Sequence, residues 1–303
     1  MAQSTILPMH CKYAIYMEGN LSFKEENDMI QFKSAIKKFQ IEVDEIQKKY
    51  PDAKLGGALA FGSDIWPKIT TISKPPELKS INTLKYLPNT TQRDMLCHIL
   101  TDHFDVAFML AQDTLKNFGH TFKITQEVHG FRRVEERGLD GFVDGTENPE
   151  GDELRTKFGL VPAGQPHEFG SYVFTQRWEH HLENWDNKST KYQEDTIGRT
   201  KKESEEIPED KRPEDSHVSR TDLNEDGVDL KIIRQSLPYG TASTLQPHGL
   251  FFIAYATRLH NIEKQLESMF GKLDGKKDRV LAFTTPVSGS YYFAPSKMEL
   301  MNL

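Results

Sequence analysis

The sequence predicts an α+β fold built from two similar domains. Three observations carry this. Apolar runs of strand length alternate with stretches whose apolar residues recur at helical spacing, those stretches stop at Gly or Pro, and the same order returns in the second half of the chain. A length of 303 residues fits two domains of ordinary size, or one large one.

The elements follow in order. Residues 12–19 form a short apolar-rich run that reads as a strand. In 32–50, Phe32, Ile36, Phe39, Val43 and Ile46 recur at helical spacing, and Pro51 closes that helix. Residues 53–61 and 95–100 read as strands, and 105–118 as a helix ended by Gly119. These connections suit a β-α-β-β-α-β plan. In the second half, 170–178 reads as a strand, Gly249–Ala256 as a very apolar strand and 261–270 as a helix ended by Gly271. Residues 279–283 are expected to be the last strand. In both halves an apolar strand leads to a helix that stops at Phe-Gly, which suggests duplication. The join is expected around 130–160.

Composition narrows the function. With 37% hydrophobic and 27% charged residues and no apolar run of bilayer length, this is a soluble globular chain with no membrane role. A net charge of −7 argues against nucleic acid as the main partner, because phosphate-binding surfaces need clustered Lys and Arg. The first residues show no export signal, so a cytoplasmic location is expected. Cys11 and Cys97 make no disulfide framework, and neither lies in a Cys-x-x-Cys-His haem-attachment motif.

The most informative phrase is Gly141-Phe142-Val143-Asp144-Gly145-Thr146-Glu147-Asn148-Pro149. Glycine lets the backbone turn sharply and lets a flat ligand come close. Phe142 and Val143 would shield the Asp144 carboxylate from water, which prepares an acid for proton transfer. Asp-Gly and Asn-Pro are also ordinary turn formers. The whole phrase resembles the GxxDG signature of the dye-decolorizing peroxidases, a haem enzyme family, and the Thr-Glu-Asn-Pro tail matches as well. The resemblance runs over nearly the whole chain, to the closing Gly289-Ser290-Tyr291-Tyr292-Phe293-Ala294-Pro295-Ser296. The shortness of the chain resembles the compact bacterial B-type group.

The resemblance implies two ferredoxin-like domains, residues 1–140 and 141–303, with non-covalent haem b in the second. It also assigns roles. His217, which follows the charged stretch 201–215 in Ser216-His217-Val218-Ser219-Arg220, is expected to be the proximal iron ligand. Asp278 is expected to accept its other N–H, which makes the imidazole a stronger electron donor to iron. Arg234, in Arg234-Gln235-Ser236-Leu237-Pro238-Tyr239-Gly240, is placed above the iron, with Ser236 at the polar position two residues on. In the implied mechanism, Asp144 moves a proton from the inner to the outer oxygen of peroxide. Arg234 stabilises the charge as the O–O bond breaks, a ferryl porphyrin radical forms, and two one-electron donations restore the resting state. An unperturbed aspartate ionises near pH ~4, so an acidic optimum is expected.

Further expectations are less specific. Leu250 and Phe252, on one side of a strand, would cover the distal haem face or serve as plain core. Gly145, Thr146 and Asn148 would meet the haem edge. Arg199 would meet a propionate or form a surface ion pair. Trp178, Trp185 and several tyrosines are either electron relays or packing. His180-His181 suggests zinc, but no partner residue has suitable spacing. The expected partners are hydrogen peroxide and a small-molecule electron donor, and a homo-oligomer is expected. The rival reading is a haem-storage, haem-transfer or iron-releasing protein, for which peroxide turnover is incidental.

Overall fold

The computed structural model describes residues 1–9, 11–243 and 246–303. The first half runs β1 (Tyr13–Leu21), α1 (Asp28–Lys49), β2 (Gly56–Phe61), β3 (Met95–Thr101), α2 (Phe104–Phe118) and β4 (Phe122–Phe131). The chain therefore forms the expected β-α-β-β-α-β order. In α1 the residues that predicted the helix, among them Phe32, Ile36, Phe39 and Val43, are buried on one face. The helix stops before Pro51, which instead opens a short 3-10 turn over Pro51–Ala53 and delays β2 to Gly56. Gly119 caps α2 with φ +54°, a backbone state that glycine reaches without steric cost.

The second half contains α3 (Gly151–Gly159), β5 (Ser171–His180), α4 (Thr190–Ile197), α5 (His217–Thr221), β6 (Ile233–Arg234) and β7 (Leu237–Tyr239). These are followed by β8 (Gly249–Ala256), α6 (Leu259–Met269), β9 (Thr284–Pro286) and β10 (Ser290–Ala294). One expectation fails here. Residues 279–283 are not the last strand: Arg279–Ala282 is a 3-10 turn, and β9 and β10 come after it. The Asp278 side chain accepts the Val280 N–H and starts the turn. Val280 and Phe283, three apart, are both buried, which is turn spacing rather than strand alternation.

Strands of the first half pair antiparallel in the order β4-β1-β3-β2, and those of the second in the order β10-β5-β8-β7. Gly130 of β4 pairs with Tyr239 of β7, and Phe61 of β2 with Phe293 of β10. Eight strands thus close into a barrel-like sheet, and closure removes the exposed edges that a flat sheet would leave. The short β6 and β9 extend its rim on β8 and β5.

Side chains alternate across this sheet. Ala14 and Tyr16 point into an interior cluster with Val173, Ile253, Tyr255 and Tyr292. Ile15 and Met17 point outward beneath α1 and α2, among Phe32, Phe39 and Leu110. Both faces of β1 are covered, which is why it reads as an unbroken apolar run. Glu18 also points inward and is 1% exposed. It accepts hydrogen bonds from Gln126 of the first half and from Thr175 and Tyr292 of the second. No helix among the described residues is long and apolar enough to cross a membrane.

Candidate active site

One cavity, with about 1540 Å³ of space open to solvent, lies against the outer face of the second half. Its walls come from the 138–147 loop, α5, β5, β6, β8 and α6. Apolar side chains, among them Leu250, Phe252, Leu266, Met269 and Phe283, form most of the wall. Asp144, Gly145, Thr146, Arg199, His217, Arg234 and Ser236 also face it. Residues far apart in the chain are therefore gathered around one cavity. Alternation along β8 explains one pair: Leu250 and Phe252 line the cavity, while Phe251 points into the barrel.

His217 opens α5, whose N-cap Ser216 accepts from the Ser219 backbone N–H. Its Nδ1 donates to Asp278 Oδ2 at 2.7 Å. Asp278 is buried behind the ring and outside the cavity lining, and its Oδ1 accepts the Val280 N–H at 3.0 Å. Both carboxylate oxygens are thus fixed. The imidazole is held in one tautomer, and Nε2 has no hydrogen bond among the described residues. Arg220, one turn later, pairs through both terminal nitrogens with Asp274 and donates to the Ser268 carbonyl, which locks α5 to α6.

Asp144 is set by the glycines around it. Gly141 and Gly145 have φ of +90° and +82°, values that side-chain-bearing residues rarely adopt. The Asp144 N–H donates to Glu136 O, and Arg137 clamps the loop by donating to the carbonyls of Gly141, Lys201 and Lys202. The charged stretch 201–215 is thus also a brace for the motif. Neither the Asp144 carboxylate nor the Arg234 guanidinium has a partner among the described residues. Both also line a smaller adjoining recess with Ser236 and Arg132, which places them close together.

Several expectations are modified. Asn148 lines that adjoining recess rather than the main cavity; its Oδ1 accepts the Arg234 N–H at 2.8 Å and its Nδ2 donates to the Arg234 carbonyl at 3.0 Å. It acts as a one-residue strand that joins the Asp144 loop to β6. The Ser236 hydroxyl is taken up by β8, accepting from Ile253 N at 3.1 Å. Arg199 is both cavity-lining and ion-paired: it is buried and bonded to Glu147 and Glu206, and Glu147 also holds Lys231. Trp178 lines the cavity, whereas Trp185 packs behind it on Phe283 at 4.1 Å and donates to the Asp140 carbonyl. His180 faces the cavity and bonds to Thr284, while His181 bonds to Thr285.

Sequence reasoning missed Asp140, another carboxylate in the wall beside Asp144, Glu147 and Asp222. Burial, aided by the charge of Asp144, pushes it up to about 6 against the opposing Phe142 N–H. Its position directly before Gly141 was the available signal. Gln176 was also missed. It lines the cavity from β5, is buried, and has no partner for its amide among the described residues.

Comparison with known proteins identifies the family. Residues 3–132 match the family described as Dyp-type peroxidase, N-terminal, and residues 135–299 match Dyp-type peroxidase, C-terminal. A dye-decolorizing peroxidase of Mycolicibacterium paratuberculosis is 35% identical over 252 residues, covering 81% of this chain and 71% of the relative. The solved dye-decolorizing protein from V. cholerae is 36% identical with a TM-score of 0.88, covering 99% of each chain. A variant of DypB from Rhodococcus jostii RHA1, solved in complex with heme, is 29% identical with a TM-score of 0.91, covering 100% of this chain and 98% of that one. This chain belongs to the Dyp-type peroxidase family and is a peroxidase of the dye-decolorizing class.

Proposed function

We propose that the protein holds a non-covalent b-type haem in this cavity and reduces hydrogen peroxide at the expense of dyes, phenols or other one-electron donors. One observation carries the reading: an imidazole nitrogen, a carboxylate and a guanidinium, each without a partner among the described residues, face a single, largely apolar cavity. The residues fit the group. His217 Nε2 is the available ligand nitrogen, apolar walls suit a flat macrocycle, and Arg199 and Lys231 are cations suited to its carboxylates. The heme found in the Rhodococcus relative supports the same assignment.

When bound, the haem supplies the redox chemistry of the reaction. The chain does the rest. Asp278 holds the His217 N–H and so raises the donor strength of the ligating nitrogen. Asp144 accepts the proton from one peroxide oxygen and delivers it to the other, so that the departing oxygen leaves as water. Arg234 offsets the negative charge that develops between the oxygens, and its own charge does not vary with pH. Asn148 fixes the carboxylate loop against the arginine strand, and Gly145 and Thr146 complete the wall. Leu250 and Phe252 exclude water from the same space.

In the same reading, residues 1–140 and 141–303 are two ferredoxin-like modules, a division supported by their matching strand orders. Two buried free cysteines suit a reducing cytoplasm. The test is an absorption spectrum of haemin-loaded protein before and after one equivalent of peroxide, with donor oxidation followed in parallel. His217→Ala should abolish the ligated-haem spectrum. Failure to take up haemin, or a bound haem that peroxide leaves unchanged, would refute the reading, and iron release with an intact ring would favour a carrier.

A further inference from the structure

Behind the cavity wall, inside the barrel, lies a column of aromatic rings for which the reaction above has no use. Phe251 sits between the cavity-lining Leu250 and Phe252 and points inward. Its ring stacks on Tyr16 at 4.1 Å and 17°. Tyr16 stacks on His98 at 4.9 Å and 19°, and His98 lies nearly parallel to Tyr255 at 6.0 Å and 18°. All four residues are fully buried. The Tyr16 hydroxyl donates at 2.8 Å to the carbonyl of Gln235, the residue between Arg234 and Ser236. The column therefore adjoins the site twice, through β8 and through the Arg234 segment.

The two tyrosines differ in what receives their protons. Tyr16 faces a peptide carbonyl, which cannot take a proton. Tyr255 lies 2.8 Å from His98 Nδ1, with the Thr5 hydroxyl farther off at 3.3 Å. Desolvation pushes His98 down to about 3, so the imidazole is neutral. A phenol is the better donor and an imidazole the better acceptor, so we take the short contact to run from Tyr255 O–H to Nδ1, the tautomer that leaves the buried His98 Nε2–H without a partner among the described residues. A phenol stripped of one electron becomes a very strong acid, and even a weakly basic imidazole then takes its proton.

We propose that Tyr255, hydrogen-bonded to His98, is a buried store for one oxidising equivalent, reached from the cavity through Phe251 and Tyr16. This rests on the haem-peroxidase reading. One electron leaves the Tyr255 ring for the haem centre that peroxide has oxidised, which is thereby reduced by one equivalent. The phenolic proton crosses to His98 Nδ1, leaving a neutral tyrosyl radical beside an imidazolium. An electron from an external donor, returned by the same path, and the proton from His98 restore the pair. Beyond Tyr255 the column meets buried Thr5, so the equivalent is held within the barrel and not passed on to solvent. Tyr16, without a proton acceptor, conducts but does not store.

The haemin-loaded protein is mixed with one equivalent of peroxide without donor, and absorption and electron paramagnetic resonance are recorded on the same frozen samples. A tyrosyl signal is expected, narrowed when the unsubstituted protein carries ring-deuterated tyrosine. It should vanish in Tyr255→Phe, persist in Tyr16→Phe, whose ring keeps the stacked path between Phe251 and His98, and be lost in His98→Gln, whose amide accepts a hydrogen bond but not a proton. Haem loading and thermal melting verify that each variant folds. A signal that survives Tyr255→Phe, one abolished by Tyr16→Phe alone, or no tyrosyl signal in a sample whose haem spectrum has changed overturns the proposal. A haem spectrum that peroxide never changes overturns the peroxidase reading, and this proposal with it.

Discussion

The imidazole of His217 and the buried carboxylate of Asp278 meet at 2.7 Å, and the second carboxylate oxygen is held by the Val280 N–H. This carboxylate cannot rotate away from the ring. With His217 as the proposed iron ligand, Asp278→Asn replaces a charged acceptor with a neutral amide and would weaken the electron donation of the ring. The expected outcome is a more positive iron reduction potential and a fall of roughly 10- to 100-fold in the rate with peroxide. Potentiometry and rapid-mixing spectra check it. An unchanged potential would mean that Asp278 only positions the ring.

Asn148 pairs with both backbone groups of Arg234 and so decides where the guanidinium stands relative to Asp144. Asn148→Ala removes two hydrogen bonds and leaves the Arg234 amide and carbonyl unpaired, a loss of roughly 1–3 kcal/mol in stability. Haem affinity should change little, because the side chain is spent on the Arg234 backbone and lines only the adjoining recess, not the main cavity. The peroxide rate should fall. Chemical denaturation, haemin titration and stopped-flow measurements separate these effects, and a variant that loses haem before it loses rate contradicts this role.

The local shapes that carry Asp144 and His217 to the cavity wall were legible in the sequence. The glycines around Asp144 signal a turn, and Ser216 signals a helix start. The bridge from the Asn148 amide to β6 was not legible, because nothing local shows how far that side chain reaches. Elements of the first half were legible from periodicity, which reports that both faces of β1 are covered. It does not report which strand covers an edge, so the seams at Gly130–Tyr239 and Phe61–Phe293 were not legible. The apolar run at 279–283 misled for a related reason: the side chain of Asp278, serving the turn and His217 together, overrides strand preference.

Glu18 joins the two halves through Gln126, Thr175 and Tyr292 in the barrel interior. Burial raises its pKa above the ordinary carboxylate value, against the lowering effect of those three bonds. Glu18→Ala would leave three donors unmatched, two of them buried, and is expected to destabilise the fold by roughly 3–5 kcal/mol. Glu18→Gln keeps the shape and most of the acceptors and should cost clearly less. Urea denaturation of the two variants provides the comparison. Equal losses would mean that packing, not the carboxylate, holds the seam.

Asp140 gives the haem-free protein a pH dependence whose sign is fixed. Its folded pKa, pushed up to about 6 chiefly by burial, lies above the value of ~3.9 expected for an unfolded aspartate. Between these values the folded state binds more protons than the unfolded state, so stability falls as pH rises from ~4 to ~6. The shift corresponds to a ceiling of about 3 kcal/mol, reached above pH ~6. Asp140→Asn cannot ionise and should lack this decline, so its stability relative to the unsubstituted protein should grow across that window and level off above it. Denaturation at several pH values, taken as the difference between the two proteins, isolates this group from every other titrating residue. A difference that stays flat, or that shrinks as pH rises, would show that the carboxyl is already ionised well below pH ~6 and that Asp144 shares the cavity with a second fixed charge.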